Sequence, residues 1–432
     1  MVERLIKLLE KEIDNNKYLI NYQKINSKEL FFIKDKLDMN RAKSVEHCSV
    51  TIYKDIDEGG DKYIGSATFK VSPSMDDKEI VDCINDTMFS ATLVKNPVYK
   101  LVKPSGDCTP KVKTNINYEN SAATLQKVID LVYSIDKNQK ANVNSMEIFL
   151  EDITTKIVNS EGVNEEFSVP KMIIELVVDC KGEKEEVELY DMIKVSDYNE
   201  DMLKSKIEAD FINVEKRAEA KALSLSNGIP VIIKGEAVPE VFSYYTFKSD
   251  AVAIYKKYSQ FKIDEAVQGE EIEGDSISIT LMPEIPYSVS SRYIDDDGVL
   301  LKELPLVKDG KLLAYHGNNR YSQYCDVEVT GSIPNVKIHE GSFDYDEMLK
   351  DECLEVIGFS DFQMDSITGD FGGEIRLAIH HKEGKAIPVT GGSITGNIYQ
   401  IHSNIQLSMQ TDITGNCQHP KAIKFAGAKI SS

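Results

Sequence analysis

The sequence predicts an α+β chain in two parts. A domain over residues 1–226 has helices packed on a sheet, and a β-rich, barrel- or sandwich-like domain follows over residues 227–432. In the first part, apolar residues at helical spacing alternate with β-branched and aromatic runs. Beyond about Asp275 helical periods give way to short strands and Gly/Pro/Asp turns. The length of 432 residues exceeds what one hydrophobic core usually serves, so two domains are expected.

Val2, Leu5, Ile6, Leu9 and Ile13 form one apolar stripe, which predicts an N-terminal helix. Strands are predicted at His47 to Lys54 and Lys62 to Val71, joined by a turn at Asp57 to Gly60. Ser72 to Asp77 supplies caps for a helix with Ile80, Val81, Ile84, Met88 and Ala91 on one face. Leu125, Val128, Ile129, Val132 and Ile135 stripe a further helix within Ser121 to Lys140. Strands at Ser145 to Glu151, Lys171 to Asp179 and Glu185 to Tyr190 precede a long helix over Asn199 to Ser226, with Asn227-Gly228 as its stop. Ile229 to Lys234 reads as a buried strand, Ala237 to Tyr255 as a helix, and Asp344 to Lys350 as a short helix. The stretch Ile367 to Ile398 reads as a Gly-studded β-hairpin.

The net charge of −21 and the lack of any basic run disfavour direct nucleic-acid binding. No apolar run is long enough to span a membrane, and the N-terminus lacks a signal-peptide layout, so a cytoplasmic address is expected. The cysteines (Cys48, Cys83, Cys108, Cys180, Cys325, Cys353 and Cys417) are scattered without a C-x-x-C pair, which predicts reduced, mostly buried thiols.

Several clusters invite a site reading and carry a structural alternative. His339-Glu340 has no second histidine close behind it. His380 and His381 point to opposite faces of a strand, although His380 with His402 and a carboxylate could form a site. Asp295, Asp296 and Asp297 could attract a cation, but no spaced calcium loop surrounds them and a solvated turn is favoured. Asp370 and Glu374 form an acid pair without a nucleophile beside it. Gly369, Gly372, Gly373, Gly391 and Gly392 suit tight turns and close strand approach better than a phosphate cradle. Phe242, Tyr244, Tyr245 and Phe247, with Tyr255 and Tyr258 beyond, suit core packing, the filling of a cavity, or a partner interface.

In order along the chain, Gly228-Ile229-Pro230-Val231, the Asp296-Asp297-Gly298 turn with its Lys308-Asp309-Gly310-Lys311 follow-up, Gly341-Ser342, Thr368-Gly369-Asp370-Phe371 and Gly396-Asn397 resemble the TldD/PmbA family. That family is described as modulators of DNA gyrase and as TldD/TldE metallopeptidases. The resemblance covers roughly residues 227–409 and implies an α+β domain followed by a β-rich one. Its active members hold zinc through a His-Glu-x-x-x-His helix and a later Cys, with the Glu as general base. Counting back from Ser259 and Phe261 places that helix at Phe242 to Phe247, where both His positions are Phe (242 and 247) and the Glu is Ser243. No histidine lies between His47 and His316, and the expected Cys falls among Gly372, Gly373 and Glu374.

The resemblance therefore implies a TldE/PmbA-type subunit with no catalytic or metal residues of its own. No cofactor is expected in this chain, zinc being held by a TldD-like partner subunit, and the substrate would be unfolded peptide. A stand-alone hydrolase with a relocated site and a homodimeric binding or scaffold protein are the alternatives. Asp296, Asp297, Gly298, Thr368, Gly369, Asp370, Phe371, Gly396 and Asn397 are expected as structural or groove residues, and Phe242, Ser243 and Phe247 mark the degenerate metal helix.

Overall fold

The computed structural model describes all residues except 14–16, 108, 138–139, 184, 225–227 and 432. Cys108 and the Asn227 helix stop thus lie outside the described residues. The first half runs α1 (Val2–Glu12), β1 (Lys17–Ile33), β2 (Lys36–Glu58), β3 (Asp61–Lys70), α2 (Asp77–Thr92) and β4 (Asn96–Pro97). It continues through α3 (Ala122–Asp136), β5 (Asn142–Asn159), β6 (Asn164–Lys181), β7 (Glu186–Val195) and α4 (Glu200–Glu219). Its strands form one antiparallel sheet in the order β4-β3-β2-β1-β5-β6-β7.

Strand alternation divides this sheet into two faces. Tyr18 and Ile20 of β1 join α1 and α2 in one core, and Phe32 joins α3 and α4 in a second core on the same face. Leu19 on the other face, with Tyr53 and Ile157, meets Tyr99, Ile294, Leu300 and Tyr324, so the second half of the chain covers part of it. Helix α2 opens on a capping box in which Asp76 and Glu79 satisfy each other's backbone N–H.

The second half contains β8 (Lys221–Ala222), β9 (Val231–Lys234), α5 (Ala237–Lys248), α6 (Ala251–Tyr255), β10 (Ile279–Met282), β11 (Leu304–Lys308) and β12 (Lys311–Leu312). Then come α7 (Asn319–Tyr324), β13 (Asn335–Ile338), α8 (Tyr345–Met348), β14 (Cys353–Met364), β15 (Asp370–Lys382), β16 (Lys385–Thr390) and β17 (Ser393–Asn397). The chain closes with α9 (Ile398–Ile401), β18 (Gln406–Leu407), β19 (Thr411–Thr414), β20 (Cys417–Pro420), β21 (Ala422–Phe425) and β22 (Lys429–Ser431). One sheet has the order β12-β11-β10-β13-β20-β19; the other runs β18-β21-β9-β14-β15-β16-β8, with β17 and β22 attached through β15. Both are open and mixed, so the barrel alternative does not hold among the described residues. Helix α5 packs on β9 and β14 of one sheet and on β20 of the other, and its residues belong to a core shared by both sheets.

The hairpin expected at Ile367 to Ile398 is present as β15 and β16, paired from Ala378↔Val389 to Lys382↔Lys385. Several elements differ from expectation. The predicted 47–54 strand lies within a longer strand running from Lys36 to Glu58, and the long β1 before it was not anticipated. The helix predicted to Ser226 ends at Glu219, and Lys221–Ala222 pair with Val389–Thr390 of β16 instead. The helix predicted over 237–255 breaks at Ser249, where the Asp250 side chain accepts from Val252 N–H and starts α6.

Asp210 of α4 is buried, and its Oδ2 has no hydrogen-bond partner among the described residues. Burial, and then the neighbouring Asp191 carboxylate, push its carboxyl up to about 8. Below the usual carboxyl range both folded and unfolded chains carry the proton; above it only the folded chain keeps it, so stability falls between about pH 4 and 8. Asp210→Asn is therefore expected to match the parent near pH 4 and exceed it at pH 8 by on the order of 1–3 kcal/mol. Urea unfolding across that range measures this; a pH-independent difference would contradict it.

Candidate functional site

Helix α5 carries the segment Phe242 to Phe247 into the middle of the second half. Phe242, Tyr244 and Tyr245 are buried, which fits a helix apolar on nearly every side. Tyr244 meets Tyr245, Phe261 and Tyr399 edge-on, with ring centroids 5.3, 5.9 and 5.9 Å apart. Its hydroxyl lies 2.6 Å from that of Tyr399, and burial raises its pKa. The Tyr245 hydroxyl is 3.4 Å from His402 Nδ1, inside the core. Ser243 donates to the Glu240 carbonyl and stands 3.4 Å from the Ser366 hydroxyl.

The Thr368 to Phe371 signature packs directly on this helix. Asp365 accepts from the N–H groups of Ile367 and Thr368, which hold its carboxyl below the usual range. Lys248, buried at the end of α5, donates to the carbonyls of Tyr258 (2.9 Å) and Ile367 (2.8 Å), with its ammonium 5.6 Å from the Tyr244 ring centroid. Gly369 has a φ of +80°, and a Cβ there would stand 2.6 Å from Ile398 and 3.5 Å from the Tyr244 ring, so both conformation and space demand glycine.

Asp370 accepts from Asn397 Nδ2 (2.7 Å) and from the Thr368 hydroxyl (2.9 Å). Asn397 also caps α9 by accepting from Tyr399 N–H, which sets the ring that meets Tyr244. Phe371 pairs in register with Gly396, whose missing side chain leaves room for the ring. Gly373 is close-packed as well, since a Cβ would lie 2.7 Å from Phe359. Glu374 accepts from Ser360 rather than joining Asp370.

The structure thus gathers Phe242 to Phe247, Thr368 to Phe371, Gly396 and Asn397 in one place. The Asp296-Asp297-Gly298 turn belongs to a different neighbourhood. Asp295 is buried and accepts from the N–H groups of Asp297, Val299 and Ser332. Asp297 accepts from Asn319 N–H at the start of α7; burial, and then the Asp295 carboxylate, push it up to about 6. A Cβ on Gly298 would press on Val163 of the first half. Only Asp296, paired with Arg292, matches the expected solvated turn.

The remaining histidines are spent singly. His380 pairs with Glu352 (3.0 Å) and His381 with Glu355 (2.8 Å), whereas His402 bonds Tyr245. His339 bonds the Thr280 hydroxyl, and Glu340 is exposed. His316 Nε2 donates to the Thr246 carbonyl (2.8 Å). Sequence reasoning missed three groups near α5: Lys248, His316, and Cys417 on the adjoining β20, whose buried thiol is pushed up to about 12. Tyr255 and Tyr258 are partly exposed, and Tyr255 stacks on Tyr321 and Tyr324 of α7.

Residues 226–432 match the family model described as the PmbA/TldA metallopeptidase C-terminal domain. The C-terminal half belongs to the PmbA/TldD family. An uncharacterized protein of Methanocaldococcus jannaschii is 27% identical over 203 residues, which span 43% of this chain and 47% of that protein. The match therefore spans about half the length of that curated relative. TldE from Thermococcus kodakarensis superposes with a TM-score of 0.80 at 18% identity, covering 100% of both chains. Two proteins described as candidate modulators of DNA gyrase have the same fold. The one from Thermotoga maritima gives 0.77 at 16% identity, over 100% of this chain and 99% of that one. The one from Bacteroides thetaiotaomicron gives 0.75 at 18%, over 100% and 98%.

The residues of this PmbA/TldD-type domain do not fit a zinc ion on α5. A zinc site there needs imidazole and thiolate donors facing one point. Instead, aromatic rings fill that region, the Cys417 thiol is kept protonated, and the Lys248 ammonium sits over Tyr244, where a second cation would be repelled. Among the described residues no group of three or more His, Cys, Asp and Glu side chains could hold a metal ion.

Lys248→Met removes the donor that ties α5 to the signature loop. It is expected to cost about 1–2 kcal/mol and to speed amide exchange at Ile367 to Phe371 more than in the first-half sheet. Hydrogen-exchange mass spectrometry measures this, and unchanged exchange in the loop would refute the tie.

Proposed function

We propose that this chain acts as a non-catalytic, TldE/PmbA-like subunit beside a zinc-bearing TldD-type partner, in a complex that degrades or processes unfolded peptides. The observation that carries the reading is the ring-filled α5, held by Lys248, at the segment where the family resemblance places a metal helix. A PmbA/TldD-family C-terminal half and a TldE-like overall fold support it. In this reading zinc and the general base belong to the partner, and this chain supplies binding surface and stabilises the pair. A cytoplasmic location fits such a role, and no helix among the described residues is long and apolar enough to cross a membrane. The relocated-site reading has less support, because His380 and His402 are engaged by different partners, Glu352 and Tyr245.

Expression of the chain alone and together with a TldD-like chain tests the proposal. The expected outcome is co-purification, with zinc and peptide cleavage in the complex and neither in this chain alone. Near-stoichiometric zinc with peptide cleavage by the isolated chain would overturn it, as would a stable homodimer that ignores the TldD-like chain.

A further inference from the structure

A cavity of about 640 Å³ opens at the seam of the two halves, away from α5. That volume lies within the roughly 300–1,000 Å³ common for ligand sites. Met282, Ile285, Leu300 and Leu301 make its floor apolar, and Ile285 and Leu301 are buried. Tyr287, in one wall, has a φ of +64°, a left-handed conformation that a bulky residue adopts only where its surroundings impose it. The first half imposes it. Ser196 N–H donates to the Tyr287 carbonyl (2.9 Å), and Asn199 Nδ2 donates to its hydroxyl (2.9 Å). The wall is therefore shaped before any ligand arrives.

The charge set into this lining is negative. Asp197, Glu284 and Glu303 all border the cavity. Asp197 accepts from the backbone N–H of Asn115 (2.6 Å); Glu284 accepts from that of Lys113 (3.1 Å) and from the Tyr293 hydroxyl (2.6 Å). The two backbone donors are two residues apart, so at most about 7 Å of chain separates the points where these carboxylates dock. All three donors are neutral and hold the carboxylates without cancelling their charge. Among the described residues no cation pairs with Asp197, Glu284 or Glu303. Lys113 and Lys302 are in the lining too, but both are exposed, whereas Asp197 and Glu284 are half-buried. Exposed ammonium groups are screened by water and salt, and half-buried carboxylates much less. The Glu284 hydrogen bond, then burial, push the Tyr293 hydroxyl up to about 12, which keeps that ring a neutral π-surface beside the carboxylate.

We infer that this seam binds a small organic cation with an apolar body, an alkyl- or arylamine, its ammonium held by Asp197 and Glu284 and its body on the Ile285–Leu301 floor. A neutral apolar molecule would strip water from the two carboxylates without replacing its hydrogen bonds. A fatty acid would bring a third negative charge against them. A bare metal ion would leave the apolar floor in water, and calcium takes a fuller ring of oxygens than two carboxylates supply. An amine meets both demands, with N–H donors for the carboxylates and hydrocarbon for the floor. The inference goes beyond the subunit role and needs neither a partner chain nor zinc, so its failure would leave the peptidase-complex proposal standing.

Isothermal titration of the full chain with hexylamine, ethylamine, hexanol and hexanoate tests it. Hexylamine is expected to bind at one site, and the other three about tenfold more weakly or worse. Asp197→Asn combined with Glu284→Gln should weaken hexylamine about tenfold, the loss of a charge-assisted hydrogen bond, while both amides can still accept from the wall. Glu303→Lys changes an exposed lining position outside those bonds and should weaken hexylamine about threefold, which keeps the test decisive if the double variant melts early. No binding at millimolar hexylamine overturns the inference, as does equal affinity for ethylamine, which would read surface charge alone. Equal affinity for hexanol, tighter binding of hexanoate, or hexylamine binding unchanged in either folded variant overturns it too.

Discussion

Helix α5 lies between two sheets, and this placement constrains most of the second half. A helix packed on β9 and β14 from one side and on β20 from another has only a narrow, half-buried stripe, at Glu240, Ser243 and Thr246, to give to polar residues. Tyr244 and Tyr245 meet that demand with their rings, and their hydroxyls then require hydrogen-bond partners. Tyr399 and His402 supply them from α9 and its C-cap, so the position of α9 follows from the helix it faces. Asn397, which caps α9, also holds Asp370, and Lys248 holds Ile367 from the other direction. The signature loop is thus tied to α5 at one end and to the start of α9 at the other, by side chains distant in sequence.

The same geometry accounts for what the sequence reveals and what it hides. Turn and cap chemistry is local, so the 383–384 hairpin turn, the Asp76 capping box and the short helix after Asp344 can be read from neighbouring residues. The lack of any histidine between His47 and His316 is legible too, because it is a question of which residues exist rather than where they go. Convergence is not legible. His316 lies 70 residues from the Thr246 carbonyl it bonds, and Cys417 arrives on a strand near the end of the chain. Nothing in their immediate sequence marks either as a neighbour of α5.

Missed strands have a different cause. Strand β1 contains Ser27 and Glu29, both buried, where an alternating pattern calls for apolar residues. Glu29 is tolerated because Arg41 and Lys43 of β2 close over it and Ser27 donates to it. An ion cluster spread over two strands cannot be seen in either strand alone, so β1 and the first part of β2 carry no strand pattern of their own. At the end of α4, alanines at 218, 220 and 222 continue a helical composition, yet β16 offers an unpaired edge and Lys221–Ala222 take it. Pairing beyond the segment outweighs propensity within it.

The aspartate turn shows how an ordinary motif acquires a second meaning from its surroundings. Asp295 spends both carboxylate oxygens on backbone N–H groups, which shapes the turn and lets Gly298 meet Val163. Asp297 reaches the first turn of α7, whose Asn319 also bonds the Lys100 carbonyl of the first half. Tyr99 and Tyr324 meet edge-to-face at the same place, with the Arg320 guanidinium over both rings. These polar and ring contacts flank the apolar cluster of Leu19, Ile157, Val163 and Ile294 that also joins the two halves, and hollows lie beside them. The region around α5 is close-packed by its own rings and offers a ligand little room, whereas the seam is held at a few points and stays open between them.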